Sequence, residues 1–193
     1  MTWLLAPLAY LLGSLSSAVI VSHIFGLPDP REQGSKNPGA TNVLRLGGRK
    51  AAIITLLGDA AKGLIPVLLA RTWGAESAVI ATTGLAAFVG HLFPLFFQFK
   101  GGKGVATALG VLLGFSWLLG LSAALTWIGM AAIFRISSLA ALTAAAFSPA
   151  YAWFGLHSPE LTAATALMSA LLIWRHRANI GRLLRGEETR IGG

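Results

Sequence analysis

The sequence predicts an all-α, polytopic membrane protein. Hydrophobic residues make up 55% of the 193 residues and charged residues only 11%, whereas a soluble domain carries about 25% charged residues. The chain therefore has too few charges to cover a surface that faces water. Inside a bilayer only helices and closed barrels satisfy their backbone polar groups. The long apolar runs lack the alternation of barrel strands, so they favour helices in one domain, residues 1–193.

Six apolar runs mark the candidate membrane helices, because one crossing needs roughly 20 apolar residues. They are residues 3–25, 51–70, 77–98, 105–134, 136–156 and 160–174. The run 105–134 is long for one helix and short for two. No Lys or Arg precedes Arg31, and a secretory signal peptide needs a basic start, so we expect the first run to be a retained helix.

Basic residues favour a double crossing for the run 105–134, because Lys and Arg collect on the cytoplasmic side of membrane proteins. Residues 26–50 and residues 175–193 hold five basic residues each. These two clusters share one side only if the run turns near residues 117–120 and crosses twice. We therefore predict seven transmembrane helices, two of them short, with the N-terminus outside and the C-terminus cytoplasmic. A re-entrant hairpin over 105–134 keeps the same parity and stays open as an alternative.

This topology gathers 13 of the 15 Lys and Arg residues on the inner side, which explains the net charge of +8 without nucleic acid as a partner. Four inner loops then mix cations with small or hydroxyl residues. They read DPREQGSKNPGATNVLRLGGRK, FKGGKGVAT, FRISSLA and WRHRANIGRLLRGEE. We expect these loops to meet at one membrane surface.

The second of these loops has the composition of an anion site. Gly101, Gly102 and Gly104 precede the expected start of a helix, where backbone N–H groups and the positive end of the helix dipole attract phosphate. Lys103 adds a charge and Thr107 a hydroxyl group. The Walker A pattern is absent, and on this loop alone an ordinary turn with cytoplasmic lysines explains the residues equally well.

The first and last loops carry further polar groups. GSKNPGATN sets Ser35, Asn37, Thr41 and Asn42 around small turn residues, which is more side-chain polarity than a solvated turn needs. In the last loop His176 precedes Asn179 by three residues, so a helix would place both on one side. The imidazole can accept a proton near neutral pH.

Charged groups inside the apolar runs are costly and need an explanation. Asp59 and Lys62 lie three residues apart, and we prefer an ion pair that braces the bundle to a role in substrate binding. His91 is expected to have a packing role or to make a hydrogen bond within its helix. The predicted inner side has few acids and no D-x-D pattern or Asp/Glu/His cluster, so we expect phosphate to be bound without a metal ion.

GSKNPGATNVLR, DAAKG, GHLFPLFFQFKGGKGVAT, SSLAA and RHRANIGRLLRGEE resemble, in order, the motifs of the acyl-phosphate-dependent glycerol-3-phosphate acyltransferases of bacteria, the PlsY family. The resemblance covers nearly the whole chain. It implies seven helices in the bacterial inner membrane, with a cytoplasmic active site. It also implies acyl transfer from acyl phosphate to the 1-hydroxyl of sn-glycerol 3-phosphate, giving lysophosphatidic acid and phosphate for phospholipid synthesis. No cofactor is implied; membrane lipids and a soluble enzyme that makes acyl phosphate are the implied partners.

The resemblance assigns site residues motif by motif. The first motif falls on Ser35, Asn37, Gly39, Thr41, Asn42 and Arg45. The glycine-rich phosphate loop falls on Gly101, Gly102, Lys103, Gly104 and Thr107. The remaining positions are Ser138, His176, Asn179 and either Glu188 or Glu187, with Glu188 preferred. The candidate catalytic residues are Ser35, Lys103, His176 and Asn179, and the other positions are candidate substrate-binding residues.

Three positions depart from the family pattern. Lys36 stands where glycine is expected, and Ser16 takes the place of a proline. RISSL replaces the usual V-S-L, so Ser137 is an alternative to Ser138, which is preferred because a leucine follows it.

The chemistry needs no covalent enzyme intermediate, because acyl phosphate is already activated and no residue stands out as a nucleophile. We expect the protein to place the hydroxyl and to stabilise negative charge. Lys103 with the glycine N–H groups would hold one phosphate, and Arg45 with Ser35 and Ser138 the other. Either His176 or a phosphate oxygen of the substrate takes the proton, and the second is preferred. A transporter of organic phosphate and a lipid-binding scaffold are the alternative classes; polarity concentrated at one face favours the enzyme.

Overall fold

The computed structural model describes residues 2–191, which form nine α-helices, two 3₁₀ turns and no strand. The α-helices are α1 (Leu5–Gly13), α2 (Ser17–Ile24), α3 (Ala40–Thr72), α4 (Ser77–Leu92), α5 (Val105–Phe115), α6 (Trp117–Phe134), α7 (Ser137–Leu156), α8 (Pro159–Arg175) and α9 (Arg177–Leu184). The 3₁₀ turns are Thr2–Leu4 and Leu95–Phe97. The all-helical prediction is confirmed for these residues.

Every predicted apolar run contains a helix, and the ambiguous run 105–134 contains two. The break between α5 and α6 falls at Ser116, whose extended backbone (φ −160°, ψ 132°) ends one helix and begins the next. This is one residue before the predicted turn. The first run is also broken, because α1 and α2 meet at an angle of 40° around residues 14–16.

Helix lengths support an integral membrane protein but do not establish seven crossings. Four segments are long and apolar enough to span a bilayer, namely α3, α4 with the 3₁₀ turn after it, α6 and α7. The bent pair of α1 and α2 makes a fifth if it is counted as one span. The helices α5 and α8 have only 11 and 17 residues. Seven crossings and the orientation of the termini therefore remain predictions.

Small residues let the central helices approach closely, as is common in membrane bundles. A side chain at Gly13 of α1 would collide with the backbone of Ala87 in α4, and one at Gly110 of α5 would collide with the backbone of Ala60 in α3. The large side chains of the core, such as Phe88, pack around these contacts. Close packing thus sets the relative positions of the helix ends that carry the loops.

The four polar loops meet at one end of this bundle. Arg175 donates hydrogen bonds to the carbonyl oxygens of Gly101 (2.7 Å) and Gly102 (3.1 Å), which joins the last loop to the second. The hydroxyl groups of Thr41 and Ser137 lie 3.3 Å apart and join the first loop to the third. The expected convergence of the loops is therefore observed.

The opposite end of the bundle holds Arg71, which is not among the 13 basic residues that the predicted topology gathers on the inner side. Its guanidinium donates to the carbonyl oxygens of Gly114 (2.9 Å) and Phe115 (3.1 Å) at the end of α5. These bonds satisfy carbonyl groups that have no partner within their own helix. Arg71 therefore lies at the end of α3 that is opposite to the four polar loops.

Candidate active site

A cavity of about 780 Å³ runs from the polar loops into the apolar interior of the bundle. Its polar end is lined by residues from all four loops, and its deeper part lies between α3, α5, α6, α7 and α8. The deeper walls include Leu109, Leu112, Ala124, Trp127, Ala141, Ala144 and Met168. The cavity can therefore hold a molecule with a charged head and an apolar tail.

The first turns of three helices line the polar end. They belong to α3 at Thr41, to α5 at Val105 and to α7 at Ser138. A helix N-terminus carries unpaired N–H groups and the positive end of the helix dipole. Gly104, just before α5, has φ 85°, and a side chain there would collide with the Phe88 ring. Three positive helix ends thus meet at the polar end of the cavity, an arrangement that attracts anions such as phosphate.

Four cationic side chains line the polar end within residues 2–191, and they are Arg45, Arg49, Lys103 and Arg182. Glu188 is the only carboxylate that the described residues place at this end; Asp59 lines a deeper part. Burial lowers the pKa of Lys103 to about 8, against the opposing effect of Glu188 and with the help of the neighbouring arginines. Lys103 is therefore mostly charged at neutral pH and loses its proton just above it.

Glu188 connects three groups of the site. Its Oε1 accepts hydrogen bonds from Ser138 Oγ (2.9 Å) and Asn179 Nδ2 (2.6 Å), and its Oε2 accepts from Arg182 Nε (2.7 Å). Burial raises the pKa of Glu188, but these hydrogen bonds outweigh burial and hold it below its ordinary value. The ionised carboxylate therefore ties the C-terminal segment to α7 and α9.

The two positions left open by the sequence differ in their surroundings. Glu187 pairs with the exposed Arg185 (2.7 Å), and of the two glutamates only Glu188 lines the cavity. Ser137 and Ser138 both line the cavity. Ser138 is buried and bonded to Glu188, as the preferred assignment expects, while Ser137 contacts Thr41.

His176 lines the cavity and is 2% exposed. Its Nδ1 lies 2.8 Å from the carbonyl oxygen of Leu172. Because a carbonyl oxygen only accepts, Nδ1 carries the proton and Nε2 is left as an acceptor. Burial lowers the pKa of His176 to about 4, although the hydrogen bond to Leu172 acts in the opposite direction. The ring is therefore neutral at physiological pH and is a weak base.

Asn42, a predicted substrate-binding residue, holds the first loop together. Its Nδ2 donates to the carbonyl oxygens of Pro30 (2.9 Å) and Gln33 (3.0 Å), and its Oδ1 accepts from the N–H of Ser35 (3.0 Å). Since these bonds occupy the amide, Asn42 positions Ser35 rather than contacting a ligand through free polar groups. The hydroxyl-bearing residue Thr41 lines the cavity with it.

Three predicted phosphate-binding residues do not line the cavity. The carbonyl groups of Gly101 and Gly102 accept from Arg175, and the N–H of Gly102 donates to the carbonyl of His91 (3.2 Å). Thr107 is fully buried and packs against α3. The expectation that the Gly102 N–H group contacts phosphate is thus corrected, because that donor is already used within the protein. The other predicted site residues line the cavity.

Sequence reasoning missed Arg49, Arg182, Asp59 and His91 as cavity residues. A signal was present for Arg182, which follows Asn179 by three residues and so shares its side of α9. No local pattern indicated that Asp59 and His91 face the cavity, because they meet it through the packing of α3 against α4.

The chain matches a known protein family over most of its length. A family described as glycerol-3-phosphate acyltransferase matches residues 3–186. The chain is 68% identical over 190 residues to the glycerol-3-phosphate acyltransferase of Methylococcus capsulatus, covering 98% of this chain and 96% of the relative. It is 61% identical over 184 residues to that of Thioalkalivibrio sulfidiphilus, covering 95% and 91%.

Two solved structures are also similar to this chain. Both are crystal structures of PlsY, an integral membrane glycerol 3-phosphate acyltransferase. The glycerol 3-phosphate form has a TM-score of 0.94 and 41% identity, covering 99% of this chain and 96% of that one. The lysophosphatidic acid form has a TM-score of 0.91 and 40% identity, covering 99% and 95%.

Proposed function

The chain belongs to the glycerol-3-phosphate acyltransferase family, and we propose that it transfers a fatty acyl group from acyl phosphate to the 1-hydroxyl of sn-glycerol 3-phosphate. The observation that carries this proposal is a cavity whose cationic polar end continues into an apolar interior. Both proposed substrates carry a phosphate, and one carries a fatty chain. The two ends of the cavity match these two chemical requirements.

The polar end has enough positive charge for two phosphate groups. Lys103, Arg45 and Arg182 line it beside the N-termini of α3, α5 and α7. Preorganised charges of this kind stabilise the negative charge that develops on the carbonyl oxygen and on the departing phosphate. Ser35 and Ser138 add hydroxyl groups at the same end.

The acceptor hydroxyl group needs hydrogen-bond acceptors that orient it toward the acyl phosphate. His176 offers an unprotonated Nε2, since its Nδ1 is bonded to Leu172. The Oδ1 atom of Asn179 is buried and has no hydrogen-bond partner among residues 2–191. These two acceptors can align the hydroxyl group for attack, which is the positioning term of catalysis.

The proposed step exchanges one acyl–oxygen bond for another. The 1-hydroxyl oxygen attacks the carbonyl carbon, and the bond from that carbon to the phosphate oxygen breaks. The phosphate leaves with the electron pair of the broken bond and takes the hydroxyl proton. The depressed pKa of His176, about 4, supports this substrate assistance, because a general base works best with a pKa near the operating pH.

We further propose that the polar end faces the cytoplasm of a bacterial inner membrane, with seven crossings and the C-terminus inside. The four loops that meet there carry most of the basic residues, as the positive-inside rule expects. A soluble enzyme that makes acyl phosphate could then deliver it from the cytoplasm. Because the chain has no cysteine, single cysteines at positions 36, 71 and 103 can be labelled in intact cells. Positions 36 and 103 should be reached from the same side, opposite to position 71.

The decisive experiment incubates the purified protein in vesicles with acyl phosphate and glycerol 3-phosphate. We expect phosphate release that requires both substrates, together with formation of lysophosphatidic acid. Lys103→Ala should abolish most of this release, and Lys100→Ala should not, because Lys100 is exposed and does not line the cavity. Uptake of glycerol 3-phosphate into vesicles without phosphate release would overturn the proposal in favour of a transporter.

A further inference from the structure

Three ionisable side chains are buried within the helices, next to the cavity but away from its polar end. Asp59 in α3 is 2% exposed, Lys62 in the same helix 5%, and His91 in α4 7%. Burying charged groups is costly unless they are paired and hydrogen-bonded, and ionisable residues within membrane helices commonly have a function. Asp59 and His91 also line the cavity. A bracing ion pair alone would need neither the histidine nor this location.

Lys62 neutralises Asp59 and connects it to a broken helix. The Lys62 Nζ atom lies 2.9 Å from Asp59 Oδ1 and donates a hydrogen bond of 2.6 Å to the carbonyl oxygen of Leu15. Leu15 lies in the break between α1 and α2. These contacts account for Lys62 and explain how the bundle tolerates the Asp59 carboxylate.

His91 lies between Asp59 and the glycine-rich loop of residues 101–104. Its Nδ1 atom is 3.6 Å from Asp59 Oδ1, slightly beyond hydrogen-bond length, and it has no hydrogen-bond partner in the described chain. At the other side of the ring, a side chain on Gly102 would collide with His91 Nε2. The carbonyl oxygen of His91 also accepts the Gly102 N–H at 3.2 Å. The loop therefore contacts both the ring and the backbone of His91.

Arg175 holds the same loop from the other side, through the carbonyl groups of Gly101 and Gly102. Lys103 follows directly and points its charge into the polar end of the cavity. The position of the Lys103 ammonium thus depends on how His91 is held. The carboxylate of Asp59, 3.6 Å from Nδ1, is placed to orient the ring electrostatically.

We propose that Asp59 and His91 are positioning residues that fix the glycine-rich loop and so place Lys103 at the polar end of the cavity. Lys62 compensates the charge of Asp59. Neither Asp59 nor His91 takes part in bond making. The predicted effect of Asp59 and His91 on acyl transfer depends on the proposed function. Their predicted effect on the position of the loop does not.

The first test separates positioning from bracing with two uncharged double variants. Asp59→Leu/Lys62→Met removes both charges and the acceptor for His91, whereas Asp59→Asn/Lys62→Met removes both charges but keeps an acceptor oxygen. Both should unfold at temperatures close to that of the wild type. We expect the leucine variant to lose about 10²-fold in kcat/KM, the loss typical of a displacement of about 1 Å. The asparagine variant should recover most of it.

The second test does not need activity. A Lys103→Cys substitution in the cysteine-free chain reports on the loop through its rate of reaction with a charged thiol reagent. The rate should rise severalfold when Asp59→Leu/Lys62→Met or His91→Phe is added. A Lys100→Cys control should react at one rate in all backgrounds, because Lys100 is already exposed.

The outcomes distinguish the two proposals. If both double variants are folded, transfer acyl groups like the wild type and leave the labelling rate at position 103 unchanged, Asp59 only braces the bundle and the inference is overturned. If the wild type transfers no acyl group, the proposed function fails, and the labelling rates alone decide whether Asp59 and His91 hold the loop.

Discussion

Ser138 donates a hydrogen bond of 2.9 Å to Glu188, a residue fifty positions further along the chain. This bond connects the start of α7 to the segment after α9. Asn179 and Arg182 bind the same carboxylate. The polar end of the cavity is therefore closed by a carboxylate that holds its neighbours in place while opposing the surrounding positive charge.

Glu188→Gln tests this double role. The amide keeps an acceptor for Ser138 but loses the charge that faces Arg182 and Lys103. Because Glu188 raises the pKa of Lys103, its neutralisation should move the alkaline limb of the kcat/KM profile to lower pH. We also expect kcat/KM at neutral pH to fall by about tenfold, the effect of weakening one charge-assisted hydrogen bond. Glu187→Gln is the matched control and should behave as the wild type, because Glu187 pairs with an exposed arginine.

The titration of Lys103 predicts how the acyl-transfer rate responds to pH. Its pKa of about 8 means that the ammonium is protonated below pH 8 and loses its charge above it. The kcat/KM profile, which reports groups of the free enzyme, should therefore fall as the pH rises through about 8. Lys103→Arg keeps its charge over this range and should abolish the alkaline limb, even if its overall rate is lower. If the alkaline limb stays unchanged in Lys103→Arg, it arises from the titration of another group.

His176 is expected to orient the acceptor rather than to take its proton. A pKa of about 4 leaves the ring neutral from pH 5 upwards, so its titration should contribute no acidic limb in that range. His176→Ala should mainly raise KM for glycerol 3-phosphate. A fall of kcat by the 10²–10⁴-fold typical of a lost general base, with KM unchanged, would contradict this expectation.

Local patterns predicted the helices, and together with the family resemblance they predicted most of the polar residues that line the cavity. Tertiary contacts decided the remainder. The glycines before Val105 were correctly read as preceding the start of a helix, because the signals at a helix end are local. The prediction that the Gly102 N–H group binds phosphate was wrong, because this group donates a hydrogen bond to the carbonyl oxygen of His91. That contact joins α4 to a later loop, and no spacing in the sequence encodes it.

The length of α5 illustrates the same limit. Composition and charge parity predicted two short helices in residues 105–134. Two helices are observed there, but only α5 is short, because α6 has 18 residues and is long enough to span a bilayer. The helix α5 has 11 residues, about 16 Å at 1.5 Å per residue, which is well short of the bilayer core. Its short length is compatible with the rest of the bundle because Arg71 satisfies the carbonyl groups at its end.

The apolar part of the cavity predicts selectivity for acyl-chain length. Ala144 lines the cavity on α7 six residues beyond Ser138, or about 9 Å along the helix. Ala144→Phe should obstruct a long chain, so kcat/KM with palmitoyl phosphate should fall much more than with octanoyl phosphate. Ala146→Phe is the matched control, because Ala146 faces outward on the same helix, and it should leave the ratio unchanged. Equal losses for both substrates would argue against an acyl chain in this cavity.

The backbone conformation of Lys36 predicts that glycine at this position would make the protein more stable. Its φ of 55° lies in the left-handed region, where a residue with a side chain costs roughly 1–2 kcal/mol and glycine costs little. Glycine, the residue that the resemblance to the family leads us to expect at this position, would adopt this backbone conformation with little strain. Part of the gain is offset by the greater freedom of glycine in the unfolded chain.

We therefore expect Lys36→Gly to raise the thermal unfolding temperature in detergent, through a net stabilisation of about 1 kcal/mol. Lys36→Ala separates the backbone effect from the loss of charge, because alanine lacks the charge but keeps the strained φ. It should not stabilise the protein. Since Lys36 is exposed and does not line the cavity, kcat should change little in either variant. Equal stabilisation by alanine and glycine would show that charge repulsion, rather than the left-handed backbone, is what destabilises the first loop.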